Sequence, residues 1–97
     1  TAMGILPFSI HVVKGHSMQP SLNEGDRVVV FRWAYLFSRP HARDIIVFDS
    51  NDTRYVKRIA AVAEGGELIV EGDNRADSRK LPPVKKSAVI GRVVGKY

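Results

Sequence analysis

Apolar residues along this chain come in short blocks separated by turn signals. The signals are Asn23-Glu24-Gly25-Asp26, Arg39-Pro40, Ser50-Asn51-Asp52-Thr53, Glu64-Gly65-Gly66, Gly72-Asp73-Asn74 and Leu81-Pro82-Pro83, all residue types that punctuate regular structure. The blocks between them are rich in β-branched residues and predict strands near 11–14, 27–32, 44–49, 55–63, 68–71 and 88–95. Ile45-Ile46-Val47-Phe48 is apolar without alternation, as in a strand buried on both faces. The block from Tyr55 alternates instead. Tyr55, Lys57 and Ile59 share one face, and Val56, Arg58 and Ala60 share the other. Trp33-Ala34-Tyr35-Leu36-Phe37 has room for one helical turn before Pro40, and Pro82-Pro83 excludes a helix there. Many short strands with Gly/Pro turns predict an all-β fold, a small closed or partly open β-barrel of mostly antiparallel strands.

Composition narrows the class. At 97 residues the chain is one domain, 1–97, large enough to fold alone without much margin. Residues 1–9 read as an apolar stub, either following a missing membrane anchor or left over from production of the chain. The chain has no cysteine, which excludes a disulfide scaffold, a thiol nucleophile and a cysteine metal site. Fifteen Lys and Arg against ten acidic residues give +5, a balance that suits nucleic acid or an anionic membrane surface. No apolar run approaches the ~20 residues of a membrane span, so the chain as given is expected to be soluble. The first residues also lack the basic-then-apolar layout of a secretory leader.

Two places carry candidate chemistry. In Lys14-Gly15-His16-Ser17-Met18-Gln19-Pro20-Ser21-Leu22, Gly15 permits a positive φ or a close backbone approach, and Pro20 constrains the exit from the turn. Together they would present Ser17 on a fixed corner between two strands. A surface turn with an ordinary Ser is the bland alternative. The other place is Lys57, in mid-strand between Tyr55 and Ile59. Either its ammonium snorkels to water, or burial favours the neutral amine, which can take a proton from a serine hydroxyl. His11, His16 and His41 share no ligand spacing, so neither a zinc site nor a Ser–His–Asp triad is expected. Asp73-Asn74 with Asp77 lacks the ligand spacing of a calcium loop and reads as a tight polar turn.

Taken together, the segments resemble a family. Gly15-His16-Ser17-Met18-Gln19-Pro20-Ser21-Leu22 resembles the serine box of the type I signal peptidases, and Tyr55-Val56-Lys57-Arg58-Ile59 resembles their lysine box. Gly25-Asp26-Arg27-Val28-Val29-Val30, Asp44-Ile45-Ile46-Val47-Phe48, the closing box Gly72-Asp73-Asn74-Arg75-Ala76-Asp77-Ser78-Arg79 and Ile90-Gly91-Arg92-Val93 are similar to the remaining segments, in the family order. The resemblance implies a serine endopeptidase that removes signal peptides from exported preproteins after small residues, at Ala-x-Ala-like sites. Ser17 would be the nucleophile, its backbone amide part of the oxyanion hole, and Lys57 the general base. Gly15, Met18, Pro20, Arg58, Asp73, Asn74, Asp77 and Arg79 would support the site, with Asp77 and Arg79 as the acidic–basic pair behind the lysine strand. No cofactor and no metal are implied. The implied partners are signal peptides, laid in as an added strand beside the Ser17 segment, and an anionic membrane surface; the 33–37 aromatic run would either dip into that interface or pack in the core. Nucleic acid is not expected. The full-length protein would be membrane-anchored, with this domain on the extracytoplasmic face.

The chain departs from the family pattern in several ways. Gly15 stands where some members carry a serine that adds a donor to the oxyanion hole. The closing box lacks a serine that helps orient the lysine. Only residues 59–71 separate the lysine box from Gly72, where larger members insert a cap domain. The membrane anchor expected ahead of the serine box is not in the sequence given. Alternative readings are a repressor-type Ser–Lys autoprotease, for which no helix-turn-helix pattern is present, and a processing protease for one dedicated precursor. The non-enzyme alternative is a basic β-barrel with Phe31, Trp33, Tyr35 and Phe37 as stacking platforms for nucleic acid.

Overall fold

A computed structural model describes residues 6–77 and 80–97. Six strands form one sheet: β1 Phe8–Val12, β2 Arg27–Phe31, β3 Ile45–Ser50, β4 Thr53–Val62, β5 Leu68–Glu71 and β6 Val89–Lys96. Their order is β1-β2-β6-β3-β4-β5, every pairing is antiparallel, and the ends do not join. The fold is therefore the open form of the barrel-like architecture expected. Register shifts between Val29 and Val30, Val47 and Phe48, and Ile59 and Ala61 mark bulges, which bend strands and strengthen twist.

Five of the six strands fall where the apolar blocks predict, within two residues. The exception is β1, which begins three residues before the expected 11 and ends before Lys14. Its residues pair from Phe8 opposite Phe31 to Val12 opposite Arg27, so Phe8 and Ser9 of the supposed stub belong to the sheet. The block Phe8-Ser9-Ile10-His11-Val12 alternates as a half-covered edge strand should, with Phe8, Ile10 and Val12 exposed.

The core lies on both sides of β3. Val47 packs with Val13, Met18, Leu22, Val28 and Val30. Ile46 and Phe48 pack with Ile59, Leu68, Val70 and Val84 on the opposite side. The unbroken apolar run of β3 thus serves two clusters. Gly91 is needed where β6 crosses β2, because a Cβ there would lie 2.5 Å from the Phe31 carbonyl oxygen and 2.7 Å from Val30 Cγ1.

The predicted helical turn is α1, Ala34–Phe37. Trp33 and Tyr35 are half-buried rather than projecting. Tyr35 donates its hydroxyl to Asp44 Oδ2 at 2.7 Å and packs on the Phe48 cluster. Of the aromatic run, only Leu36 and Phe37 are strongly exposed, at 72% and 79%.

Candidate active site

The Ser17 loop leaves β1 and is pinned by its apolar residues. Met18 and Leu22 are buried in the first cluster, and a single helical turn links them through Leu22 N–H to the Met18 carbonyl at 2.8 Å. Burying Met18 fixes the direction of its neighbour, half-buried Ser17. Gly15 has φ +78° with open space around its α-carbon. Its role is therefore the left-handed backbone, not a close approach. Its N–H donates to Glu24 Oε2 at 2.8 Å, closing the base of the loop. Pro20 is solvent-exposed and follows a cis peptide.

Lys57 lies in the middle of β4 and is only 5% exposed. Its cross-strand partner is Ile46, so it stands on the face that carries Ile59 and the stacked Phe48–Tyr55 pair, whose ring centroids are 5.6 Å apart. Of the two sequence readings, snorkelling is excluded.

Ser17 and Lys57 line the same groove, of about 410 Å³. His11, Val12 and Lys14 form the wall on the β1 side, and residues 52–57 form the other. The groove thus lies between the exit of edge strand β1 and the first half of β4, with Val47 of β3 also lining it.

The closing box ties the two walls together. Asp73 accepts two hydrogen bonds from Arg58, at 2.8 Å each from Nε and Nη2, and one from the Ser21 hydroxyl at 2.6 Å. Arg58 follows Lys57, and Ser21 lies four residues after Ser17. Arg58 Nη1 also donates to the Arg43 carbonyl at 2.8 Å. Asn74 donates its backbone N–H to the Ser17 carbonyl at 2.7 Å and its side-chain amide to the His16 carbonyl at 3.0 Å. The Arg58 guanidinium holds the Asp73 carboxyl below its ordinary value, helped by Ser21 and opposed by burial, and Asp73 in turn raises Arg58. Fork-to-carboxylate pairs of this kind fix direction as well as distance.

The structure therefore brings together Gly15, Ser17, Met18, Lys57, Arg58, Asp73 and Asn74. Asp77 ends the short 3-10 turn Arg75–Asp77, and Arg79 lies outside the described residues. The Asp77–Arg79 pairing expected from the sequence thus falls outside what is described. Among the described residues, no three His, Asp or Glu side chains cluster as metal ligands would. Sequence reasoning missed His11 as a groove residue. Its ring nitrogen Nε2 lies 2.9 Å from the Ser9 hydroxyl, and the period-2 pattern of β1 was the available signal.

The chain as a whole has relatives among known proteins. The family model described as "Signal peptidase, peptidase S26" matches residues 2–65, a span that includes Ser17 and Lys57. The chain belongs to that family. It is 31% identical over 96 residues to signal peptidase I of Bacillus caldolyticus, covering 93% of this chain and 53% of that protein. It is also 37% identical over 71 residues to proteins named inactive signal peptidase IA from Staphylococcus aureus strains Mu50 and N315, covering 73% of this chain and 41% of theirs. The chain thus spans about half the length of the curated relatives it matches.

Proposed function

We propose that this chain is a serine endopeptidase core that removes signal peptides by a Ser17–Lys57 dyad. One observation carries the reading: Ser17 and a buried Lys57 open onto one peptide-sized groove. Burial disfavours the ammonium form of a lysine, and only the neutral amine can act as a base. Lys57 Nζ takes the Ser17 hydroxyl proton as Oγ attacks the scissile carbonyl. The tetrahedral oxyanion is held by donors that include the Ser17 backbone amide. Collapse breaks the C–N bond, and Lys57 passes the proton to the leaving amine. Water then attacks the acyl-serine, giving a proton to Lys57 and its oxygen to the new carboxylate, and the C–Oγ bond breaks as Lys57 returns that proton to Ser17. The substrate is an extended peptide lying between the β1 exit and β4, with small residues of the Ala-x-Ala kind before the cut. The partner surface is an anionic bilayer, met by exposed Leu36 and Phe37 and by the outer face of β1. The full-length protein is membrane-anchored with this domain on the extracytoplasmic face, although no helix among the described residues is long and apolar enough to cross a membrane.

The second reading is a member of the family without activity, which the relatives named inactive bring forward. An Ala-x-Ala peptide, extended by several residues on both sides, decides between them. Cleavage by the wild-type chain that is lost in both Ser17→Ala and Lys57→Ala supports the dyad. Full activity in Lys57→Ala overturns it. A folded wild-type chain that cuts no such peptide supports the inactive reading.

A further inference from the structure

His11 stands on the β1 wall of the groove, on the strand face that Ser9 shares and that continues to buried Val13. Its Nε2 lies 2.9 Å from the Ser9 hydroxyl, which orients the ring instead of leaving it to rotate. Charged groups reach it from each neighbouring element: Arg54 on β4, Arg32 just after β2 and Asp49 on β3. Asp49 is engaged elsewhere, in a two-point pair with Arg54 at 2.9 and 3.2 Å. Of the described residues lining the groove, Asp52 is the one acid, against Lys14 and Arg54. The wall around His11 is therefore short of negative charge.

We propose that His11 is a specificity-determining residue of this groove, selecting peptides that carry an acidic side chain a few residues from the scissile bond. The inference rests on the proposed peptidase reading for its substrate class. His11 lies six residues before Ser17, at most ~20 Å of extended chain and less across a turn, so the contact falls outside the small-residue positions at the cut. Desolvation, with Arg54 and Arg32, holds the imidazole below its ordinary pKa of 6.5, and Asp49 opposes them. The ring is thus neutral at pH 7.5 and offers a hydrogen bond. The ring gains positive charge only at a lower pH than a free imidazole does, and a substrate glutamate, which ordinarily titrates at about 4.3, is still largely ionised at about pH 5. Selection for the acid therefore sharpens as pH falls.

The test is binding of fluorescently labelled Ala-x-Ala peptides to the Ser17→Ala chain, with Glu or Gln placed in turn at positions two to six residues from the scissile bond, on either side. At one position the Glu peptide is expected to bind at least three-fold tighter than its Gln twin, and the ratio to rise as pH falls from 7.5 toward 5. His11→Gln removes the rise, and His11→Phe removes the preference. Circular dichroism checks both folds, and should His11→Phe unfold, His11→Gln carries the test. Equal affinities at every position overturn the proposal, as does a pH-dependent ratio unchanged in His11→Gln. Cleavage by the wild-type chain is read separately. Loss of the peptidase reading appears there, and loss of the His11 role appears in the affinity ratios.

Discussion

Asp73 and Arg58 face each other fork to carboxylate, both contacts at 2.8 Å, at a place where the Ser17 loop and the Lys57 strand share a partner. The same carboxylate holds Ser21 at 2.6 Å. Replacing Asp73 by Asn leaves its size but removes the charge from this junction. Because the pair is mostly shielded, at 30% and 16% side-chain exposure, the loss is expected to be about 1–3 kcal/mol. Peptide cleavage should fall further than stability alone accounts for, since Ser17 and Lys57 are no longer held at a set distance. Urea unfolding beside cleavage kinetics of Asp73→Asn checks this, and an unchanged kcat in a folded variant counts against the bracing role.

The same carboxylate sets an acid limit. Asp73 is held below 3.8 in the folded chain, chiefly by Arg58. A depressed carboxyl contributes stability that is fully present above its unfolded value and lost as pH falls through the folded one. The wild-type chain should therefore lose stability below about pH 4 more steeply than Asp73→Asn. Thermal melts between pH 2.5 and 6 measure the difference. Parallel curves for the two proteins would remove Asp73 from the account.

Lys57→Arg keeps a basic side chain of similar length. A guanidinium stays protonated at every pH a protein survives, so it cannot serve as base. Cleavage should drop at least as far as in Lys57→Ala. A folded Lys57→Arg chain retaining a tenth or more of wild-type kcat would contradict a lysine base.

Gly91→Ala inserts a methyl 2.5 Å from a backbone oxygen and 2.7 Å from a buried side chain. The β2–β6 contact has to open to admit it. The expected cost is about 1–3 kcal/mol, which for a domain of this size lowers Tm by at least about 4 °C. A melting curve within a degree of wild type would show that the strands can part cheaply.

Membrane contact has a direct reading. Leu36 and Phe37 project from α1 while Trp33, just before them, is half-buried. Leu36→Ser with Phe37→Ser should weaken cosedimentation with anionic vesicles several-fold while leaving the melting temperature within about 2 °C, as expected for exposed positions. Equal cosedimentation of the wild-type and doubly substituted chains would place the contact elsewhere.

Much of this molecule is legible without its structure. The β-branched blocks mark five strands, because a strand's side chains report its two faces directly. The continuous run Ile45-Ile46-Val47-Phe48 announces a strand with a cluster on each side. The start of β1 carries the period-2 alternation, but only its pairing with Phe31 and Val30 distinguishes a strand there from a terminal stub. The aromatic run reads as well for the core as for a membrane interface, and the Tyr35–Asp44 hydrogen bond and the Phe48 cluster decide for the core at Tyr35.

The sequence by itself determined the family boxes, the two candidate residues Ser17 and Lys57 and the β character, since each depends on residue type and short spacing. Tertiary structure alone decided that Lys57 is buried instead of snorkelling, that His11 lines the groove, and that Asp73 joins Arg58 to Ser21 across 52 residues of chain. Those outcomes depend on how distant strands pair and which faces they close. Burial and electrostatic environment are properties of the whole packed chain.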